Sequence, residues 1–389
     1  MSFDFFPQTR AVCGAGSVDR LGALAAELGA RRALLVSDPG IVAAGHTEHG
    51  ASSLRQAGLD VAVFDGVIEN PTTETVRQGV EFAREFRPDV IIGLGGGSSM
   101  DTAKGVNFLY SCGGQMSDYW GVGKATGPML LSIGIPTTAG TGSEAQSFAL
   151  ISDAQTHVKM ACGDKRAAFR VAILDPELTV TQPRQVTALT GIDALSHALE
   201  SYVSTKRTPL SQMFSREAWR HLEPNFGIVL REPQNVDARA AMQWGAHLAG
   251  MAIENSMLGA AHALANPLTQ AFDIVHGQAI ALTLPHVVRF NAVERENEYA
   301  ALANVTGNIS TNGAAHDSAG LKLTGGERLA RRIEILRKEA GLFGRLTEFD
   351  IPREDIRRLA VEAAKQWTAN FNPRKVDESD LEQLYERAF

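Results

Sequence analysis

Cysteine is scarce in this chain. Three residues, Cys13, Cys112 and Cys162, are spread over 389 positions with no CxxC pair among them. Their odd number and wide spacing exclude a disulfide scaffold and a thiolate zinc site, and they point to a reducing compartment. Long apolar runs are missing too, since none approaches the roughly 18 residues that a membrane helix requires. The opening MSFDFFPQTR lacks the basic start, apolar stretch and small-residue cleavage site of an export signal. The expectation is a soluble, cytoplasmic protein with no membrane partner. Basic charge is in short supply, with 37 Lys+Arg against 44 Asp+Glu for a net charge of −7 and no strongly basic run. That balance argues against a nucleic-acid partner held by a broad positive field. The 44% hydrophobic and 21% charged content is that of a globular protein. Single cores stop growing at about 250 to 300 residues, so two domains are expected.

The chain has two textures. Up to about residue 180, short β-branched runs alternate with helical patterns: Arg32 to Ser37, Val61 to Phe64, Asp89 to Leu94, Leu130 to Ile135 and Val171 to Leu174. Strands separated by helix-length segments imply right-handed crossovers and a parallel, doubly wound sheet. Beyond Asp175-Pro176, Ala- and Leu-rich helical spacing takes over, as in Gln182 to Ser204, Val236 to Glu254, Glu327 to Ala340 and Glu354 to Trp367. An α/β domain over 1–180 and an all-helical domain over 181–389 follow, with an active cleft expected between them. Thr306 to Gly326, rich in Gly and Asn, reads as a loop.

Within the first half, DVIIGLGGGSSMDTAKG (Asp89 to Gly105) places Gly95, Gly96 and Gly97 directly after a buried strand, with Ser98 and Ser99 ahead of a helix. Glycines allow close approach of a ligand, and the free N–H groups of a helix start attract a phosphate. A plain strand-to-helix turn closed by a serine cap stands beside this reading. A second piece, IPTTAGTGSE (Ile135 to Glu144), again follows a strand and offers hydroxyls at Thr137, Thr138, Thr141 and Ser143. Two such loops after strands of one sheet converge at its C-terminal edge, where open α/β sheets bind ligands. Gly14 and Gly16 half-match a dinucleotide fingerprint, but the third glycine is displaced to Gly22 and the turn reads as structural. Asp38, at the end of ALLVSD, can accept ribose 2′-hydroxyls and would repel a 2′-phosphate, favouring NAD over NADP.

In TGIDALSHALESYV (Thr190 to Val203), Ile192, Leu195, Leu199 and Tyr202 form an apolar stripe, while Asp193, His197 and Glu200 project together from another face. A carboxylate and an imidazole one turn apart can chelate a divalent metal, although such a pair is also met on a solvated or capped surface. Two further histidines, His262 in GAAHALANPL and His276 in DIVHGQAIAL, enlarge the set. Three imidazoles and one carboxylate suit Fe(II) or Zn(II) and leave positions open for a substrate oxygen. Of the remaining histidines, only His286 in LTLPHVVRFN stands near a motif.

Taken jointly, GGGSSMDTAK, PTTAGTGSE, GIDALSHALESY and the two histidines fourteen residues apart resemble the iron-containing (group III) alcohol dehydrogenase family. The similarity runs from FFPQTRAVCGAGSVDRLG to FNPRKVDESDLEQLYERAF, essentially the whole chain. It implies a dehydroquinate-synthase-like fold: an N-terminal dinucleotide-binding α/β domain with a parallel sheet, and an all-α C-terminal domain. It implies metal ligation by Asp193, His197, His262 and His276 with Fe(II) or Zn(II). It implies NAD contacts from Asp38, Gly95, Gly96, Gly97, Ser98, Asp101, Thr137, Thr138, Thr141 and Lys159, and a substrate pocket lined by Phe148 and Ile253. The implied reaction is NAD-linked interconversion of alcohols, small or medium primary alcohols above all, with aldehydes or ketones, in a homodimer or higher homo-oligomer. One position departs: where many relatives carry a histidine four residues after the third ligand, this chain has Asn266. An amide cannot titrate near neutrality, so it could position substrate or water but not relay a proton.

The resemblance leaves other reactions on the same scaffold open. A hydroxyacid:oxoacid transhydrogenase would pass hydride between two substrates without net NADH. Maleylacetate-type reductases resemble the fold without the full ligand set that Asp193, His197, His262 and His276 make here. A dehydroquinate-synthase-like lyase should need a basic pocket for a phosphorylated substrate, and no Lys/Arg cluster accompanies these motifs. A non-catalytic nucleotide-binding protein is the plainest alternative.

Overall fold

The computed structural model describes residues 5–307 and 323–389. The chain divides between Gln182 and Pro183 into two compact units. The first holds strands β1 (Arg10–Cys13), β2 (Arg32–Val36), β3 (Asp60–Phe64), β4 (Val90–Gly95), β5 (Gly121–Val122), β6 (Leu131–Pro136), β7 (Phe148–Ser152), β8 (Lys159–Gly163) and β9 (Val171–Leu174). Its helices are α1 (Leu21–Glu27), α2 (Pro39–Ala43), α3 (His46–Gln56), α4 (Thr73–Phe86) and α5 (Gly97–Cys112). Six strands form a wholly parallel sheet in the order β1-β9-β6-β4-β2-β3. Both faces are covered, so the strands read as continuous apolar runs. Val90, Ile92 and Leu94 pack with Leu21, Leu24 and Leu54 on one side, while Ile91 joins Val76, Val80 and Val106 on the other. The strand order reverses between β2 and β4, because β2 leads outward to β3 whereas β4 leads to β6 and β9. Ligands of open α/β sheets bind beyond the carboxyl ends of strands at such a switch point.

A second sheet of three strands, β5-β8-β7, does not figure in the sequence reading. Strand β5 has only two residues, and β7 and β8 mix buried with exposed positions, so none of the three is a continuous apolar run. Only Ala149 and Ile151 of β7, and Met160 and Cys162 of β8, turn inward, joining Val106 and Phe108 of α5 in one cluster.

The second unit contains α6 (Arg184–Val203), α7 (Pro209–Arg231), α8 (Val236–Glu254), α9 (Ala260–Phe272), α10 (His276–Ala303), α11 (Gly325–Ala340), α12 (Ile356–Ala364) and α13 (Glu378–Ala388). Helix α6 is its axis, packed against α7, α8 and α10 and buried at every residue from Gly191 to Val203. The expected helix Glu354 to Trp367 is shorter: a 3-10 turn precedes Ile356, α12 ends at Ala364, and the backbone at Gln366 is extended (φ −68°, ψ 127°) before a second 3-10 turn, Trp367–Phe371. Of the stretch read as a loop, Thr306 to Gly326, residues 308–322 lie outside the described residues. Its last two glycines already belong to α11, because Thr324 caps that helix and Glu296 of α10 accepts the N–H groups of Gly325 and Gly326. Among the described residues no helix is long and apolar enough to cross a membrane.

Candidate metal centre and dinucleotide edge

In the helical unit, Asp193 and His197 stand one turn apart on α6, His262 is in the first turn of α9, and His276 is the first residue of α10. Helix α6 and the sequence-distant pair α9 and α10 therefore deliver four side chains to one point. Around Asp193 Oδ1, the Nε2 atoms of His197, His262 and His276 lie at 3.3, 3.5 and 3.7 Å. Asp193, His262 and His276 offer ligand atoms all within 4.8 Å of one another, and His197 joins them through Asp193. The imidazoles form a row, with ring centroids 5.0 Å apart for His197 and His262 and 5.2 Å for His262 and His276. Asp193, His197 and Glu200 are buried, which removes the solvated-surface reading: this face of α6 looks onto the histidines of α9 and α10, not onto water. His276 is the most open of the four, its side chain 27% exposed.

The chemistry of the donors fits a cation. Asp193 Oδ1 and His262 Nε2 are buried without a hydrogen-bond partner, and their 3.5 Å approach is an ion-pair distance at the limit of hydrogen bonding. Buried polar atoms are otherwise almost always paired, so two orphans facing each other amid imidazoles mark a place prepared for a positive ion. Burial opposes the charge on Asp193, but His197, His262 and His276 outweigh it and hold the carboxyl below its usual range. Burial likewise opposes protonation of His262, yet the hydrogen bond to Glu200 and the negative charges of Asp193 and Glu200 push it up to about 9. A metal would replace that proton. Two acceptors left over by the sequence reading complete the setting. Glu200, noted only as sharing a helix face, has Oε2 2.5 Å from His262 Nδ1, and Asn372 accepts the N–H of Ala260 at the start of α9. No spacing rule connects Asn372 to His262, so only the fold reveals it.

Asn266, one turn beyond His262, donates to Gln366 Oε1 at 2.9 Å. Ile253 is buried on α8, and Phe148 opens β7 in the other unit with its ring against Gly163. His286 does not join the ligand cluster; burial and the neighbouring Arg289 push it down to about 4.

In the α/β unit, Gly95 ends β4 with φ +148°, a conformation that L side chains rarely adopt, and Gly96 is the N-cap of α5. No side chain caps this helix, which overturns the serine-cap reading: Ser98 and Ser99 lie inside the first turn, where the Ser99 and Met100 N–H groups donate back to Gly96 O and those of Gly97 and Ser98 receive no capping side chain. Ser99 instead donates to Asp38 Oδ2 at 3.1 Å. Asp38 Oδ1 accepts the N–H groups of Gly40 and Ile41 and so caps α2. The second loop lies alongside, because β6 pairs with β4 up to Gly95 and Pro136, and Thr137 N donates to Gly95 O at 2.9 Å. Thr138 and Thr141 stand against Gly96 and Gly97. Thr137 itself is buried, its hydroxyl without a partner. Asp101 faces inward, accepting from Ser143 Oγ at 2.6 Å, and buried Lys104 binds the same serine through its carbonyl (2.7 Å) and hydroxyl (2.9 Å). Lys159 is exposed on β8 and acts on Asp101 electrostatically. The Gly14–Gly16 turn is occupied, since Asp175 accepts the N–H groups of Gly16 and Val18.

Comparison with known proteins agrees with both halves. Residues 7–176 match the family model "Iron-containing alcohol dehydrogenase", and residues 187–389 match "Fe-containing alcohol dehydrogenase family, C-terminal". The chain is 33% identical over 389 residues to the NAD-dependent methanol dehydrogenase of Bacillus methanolicus, covering 99% of each. It is also 33% identical over 389 residues to the 1,3-propanediol dehydrogenase of Klebsiella pneumoniae, covering 100% of this chain and 99% of that one. A crystal structure of 1,3-propanediol oxidoreductase superposes with a TM-score of 0.94 at 32% identity, covering all of both chains.

Proposed function

The chain belongs to the iron-containing alcohol dehydrogenase family, and on that footing we propose that it interconverts small or medium primary alcohols and their aldehydes using NAD in preference to NADP and Fe(II) or Zn(II). The observation that carries this reading is the buried point where Asp193, His197, His262 and His276 converge with two donor atoms unpaired. Those four residues would hold the ion. When bound, it supplies Lewis-acid polarisation of the substrate oxygen, which lowers the pKa of an alcohol toward neutrality. The protein supplies the rest. The first turn of α5 and the glycines ahead of it would cradle the pyrophosphate, with the N–H dipoles favouring its charge. Asp38 would accept the adenosine ribose hydroxyls and repel a 2′-phosphate. Asn266, whose amide donates to Gln366, keeps its carbonyl oxygen to orient a water or the substrate hydroxyl. It cannot take up the proton, which would need water, a ribose hydroxyl of the dinucleotide or another side chain.

The deciding experiment is metal analysis of anaerobically purified protein, together with NADH formation from a panel of primary alcohols before and after stripping and re-adding Fe(II) or Zn(II). Activity that vanishes and returns with about one equivalent of metal supports the reading. Protein that binds metal and NAD but forms no net NADH with any single alcohol would turn attention to hydride exchange between two substrates.

A further inference from the structure

We propose that Glu200 is a positioning residue which fixes His262 in the one tautomer a metal can use and clamps the start of α9 behind it. This rests on the metal reading of the four ligands and extends it to a residue outside them.

Helix α9 begins without help from its own sequence, because its N-cap is Gly259 and no side chain bonds there. Its first N–H groups are satisfied from elsewhere in the unit. Ala261 N donates to Glu200 Oε1 at 2.7 Å, and Ala260 N donates to Asn372 Oδ1 at 3.2 Å. Asn372 is held in turn by reciprocal amide bonds with Asn291, at 3.0 and 2.7 Å. The second oxygen of Glu200 lies 2.5 Å from His262 Nδ1. Two donors therefore converge on the two oxygens of one carboxylate that is 4% exposed.

A carboxylate only accepts, so Nδ1 must carry hydrogen. In the neutral ring this leaves the lone pair on Nε2, the atom that faces Asp193 Oδ1. Hydrogen bonding at one ring nitrogen thus decides which nitrogen is free for a metal. The same carboxylate sets where the ring stands, because it also binds the backbone one residue before it. Glu200 lies three residues after His197 on α6, so one helix carries two ligands and the group that orients the third.

Glu200→Gln tests this, because an amide of nearly the same shape has one acceptor where two are needed. If its oxygen keeps Ala261 N–H, its NH2 faces Nδ1 and drives the ring proton to Nε2. If its oxygen keeps Nδ1–H, two donors oppose each other at the start of α9. The expected result is a loss of Zn(II) affinity of about 10- to 100-fold in chelator competition, with NAD binding unchanged. In metal-free protein, at a pH where nitrogen-15 shifts report a neutral His262 ring, the spectra should show hydrogen on Nδ1 in the parent and on Nε2 in the variant. Should Glu200→Gln fail to fold, Gly259→Ala serves in its place. Its Cβ would come within 2.9 Å of Asn372 Oδ1 and 3.1 Å of Glu200 Oε1, displacing the clamp with its charge intact, and Zn(II) affinity should again fall. Unchanged Zn(II) affinity in the folded variant, or a parent ring protonated on Nε2, would overturn the proposal. A parent that binds no Zn(II) but keeps hydrogen on Nδ1 would refute the metal reading and leave the tautomer assignment standing.

Discussion

The two halves of this molecule build their sites from different materials. At the dinucleotide edge the groups that would meet a ligand are largely backbone: Gly95 to Gly97, the uncapped first turn of α5, and a loop strung beside it by the pairing of β4 with β6. In the helical unit they are side chains, buried and delivered by α6, α9 and α10 to a point a few ångströms across. Backbone sites are shaped by where strands end, so a short contiguous motif specifies them. Side-chain sites are shaped by packing between remote helices, and changing one atom there leaves its neighbours with unpaired charge.

The sharpest test of that division is to break one half and ask whether the other notices. Asp193→Ala and His276→Ala should each lower turnover about a thousandfold, near the roughly 4 kcal/mol that a Lewis acid contributes to such a step. The dissociation constant for NAD, read by fluorescence or calorimetry, should stay where it was. Full turnover in either variant after chelation and dialysis would refute the metal mechanism. A parallel loss of NAD affinity would mean the halves are not independent.

The next effect comes from protons. His262 is pushed up to about 9, with burial opposing and Asp193 and Glu200 prevailing, whereas an unfolded histidine titrates near 6.5. A raised value means that this proton stabilises the metal-free fold fully below pH 6.5, and that the contribution is lost as pH rises through 9. A metal needs the bare nitrogen, so it competes with the proton below pH 9. Apparent metal affinity should weaken about tenfold per unit, or roughly a hundredfold between pH 9 and 7. Chelator competition at several pH values and proton release in buffers of different ionisation heat both read this. A flat profile would show that His262 is already neutral without metal.

How much of this was legible in the residues follows the same division. The parallel sheet could be read because β2, β4, β6 and β9 are continuous apolar runs, and the first phosphate loop because its three glycines adjoin one of them. The four candidate ligands could be listed, but spacing alone could not say that His262 and His276 reach Asp193, since α9 and α10 pack onto α6 only in the folded chain. Glu200 showed its helix face and not its partner. Asn372, 110 residues beyond His262, gave no signal at all. The serine cap failed because the helix starts before both serines, with Gly96 at its N-cap, and Ser99, inside the first turn, donates instead to Asp38 at the end of a different strand.

On the backbone side, Gly97→Ala should be milder than any ligand variant. Alanine is the better helix former at this position in α5, so intrinsic propensity favours the change. Its Cβ, however, would lie 2.8 Å from Thr141 Cγ2 and 2.9 Å from Thr141 Oγ1, forcing the second loop away from the first. Overpacking of about 1.4 kcal/mol corresponds to an NAD dissociation constant about tenfold higher. Metal content should not change. Unchanged NAD binding would mean that the two loops need not touch to form the cradle.

The smallest effect separates charge from shape at Asp38. One of its oxygens caps α2 and the other accepts from Ser99, so Asp38→Gly would disturb the loop while removing the charge. Asp38→Asn is the cleaner change, because asparagine caps a helix start about as well as aspartate. What disappears is repulsion toward a 2′-phosphate, about 1 kcal/mol for charges a few ångströms apart in a water-like medium. The ratio of kcat/KM with NADP to that with NAD should therefore rise roughly fivefold, while thermal stability moves little. If the ratio stays fixed in both variants, Asp38 serves α2 and Ser99 alone, and discrimination between the cofactors lies elsewhere on the edge.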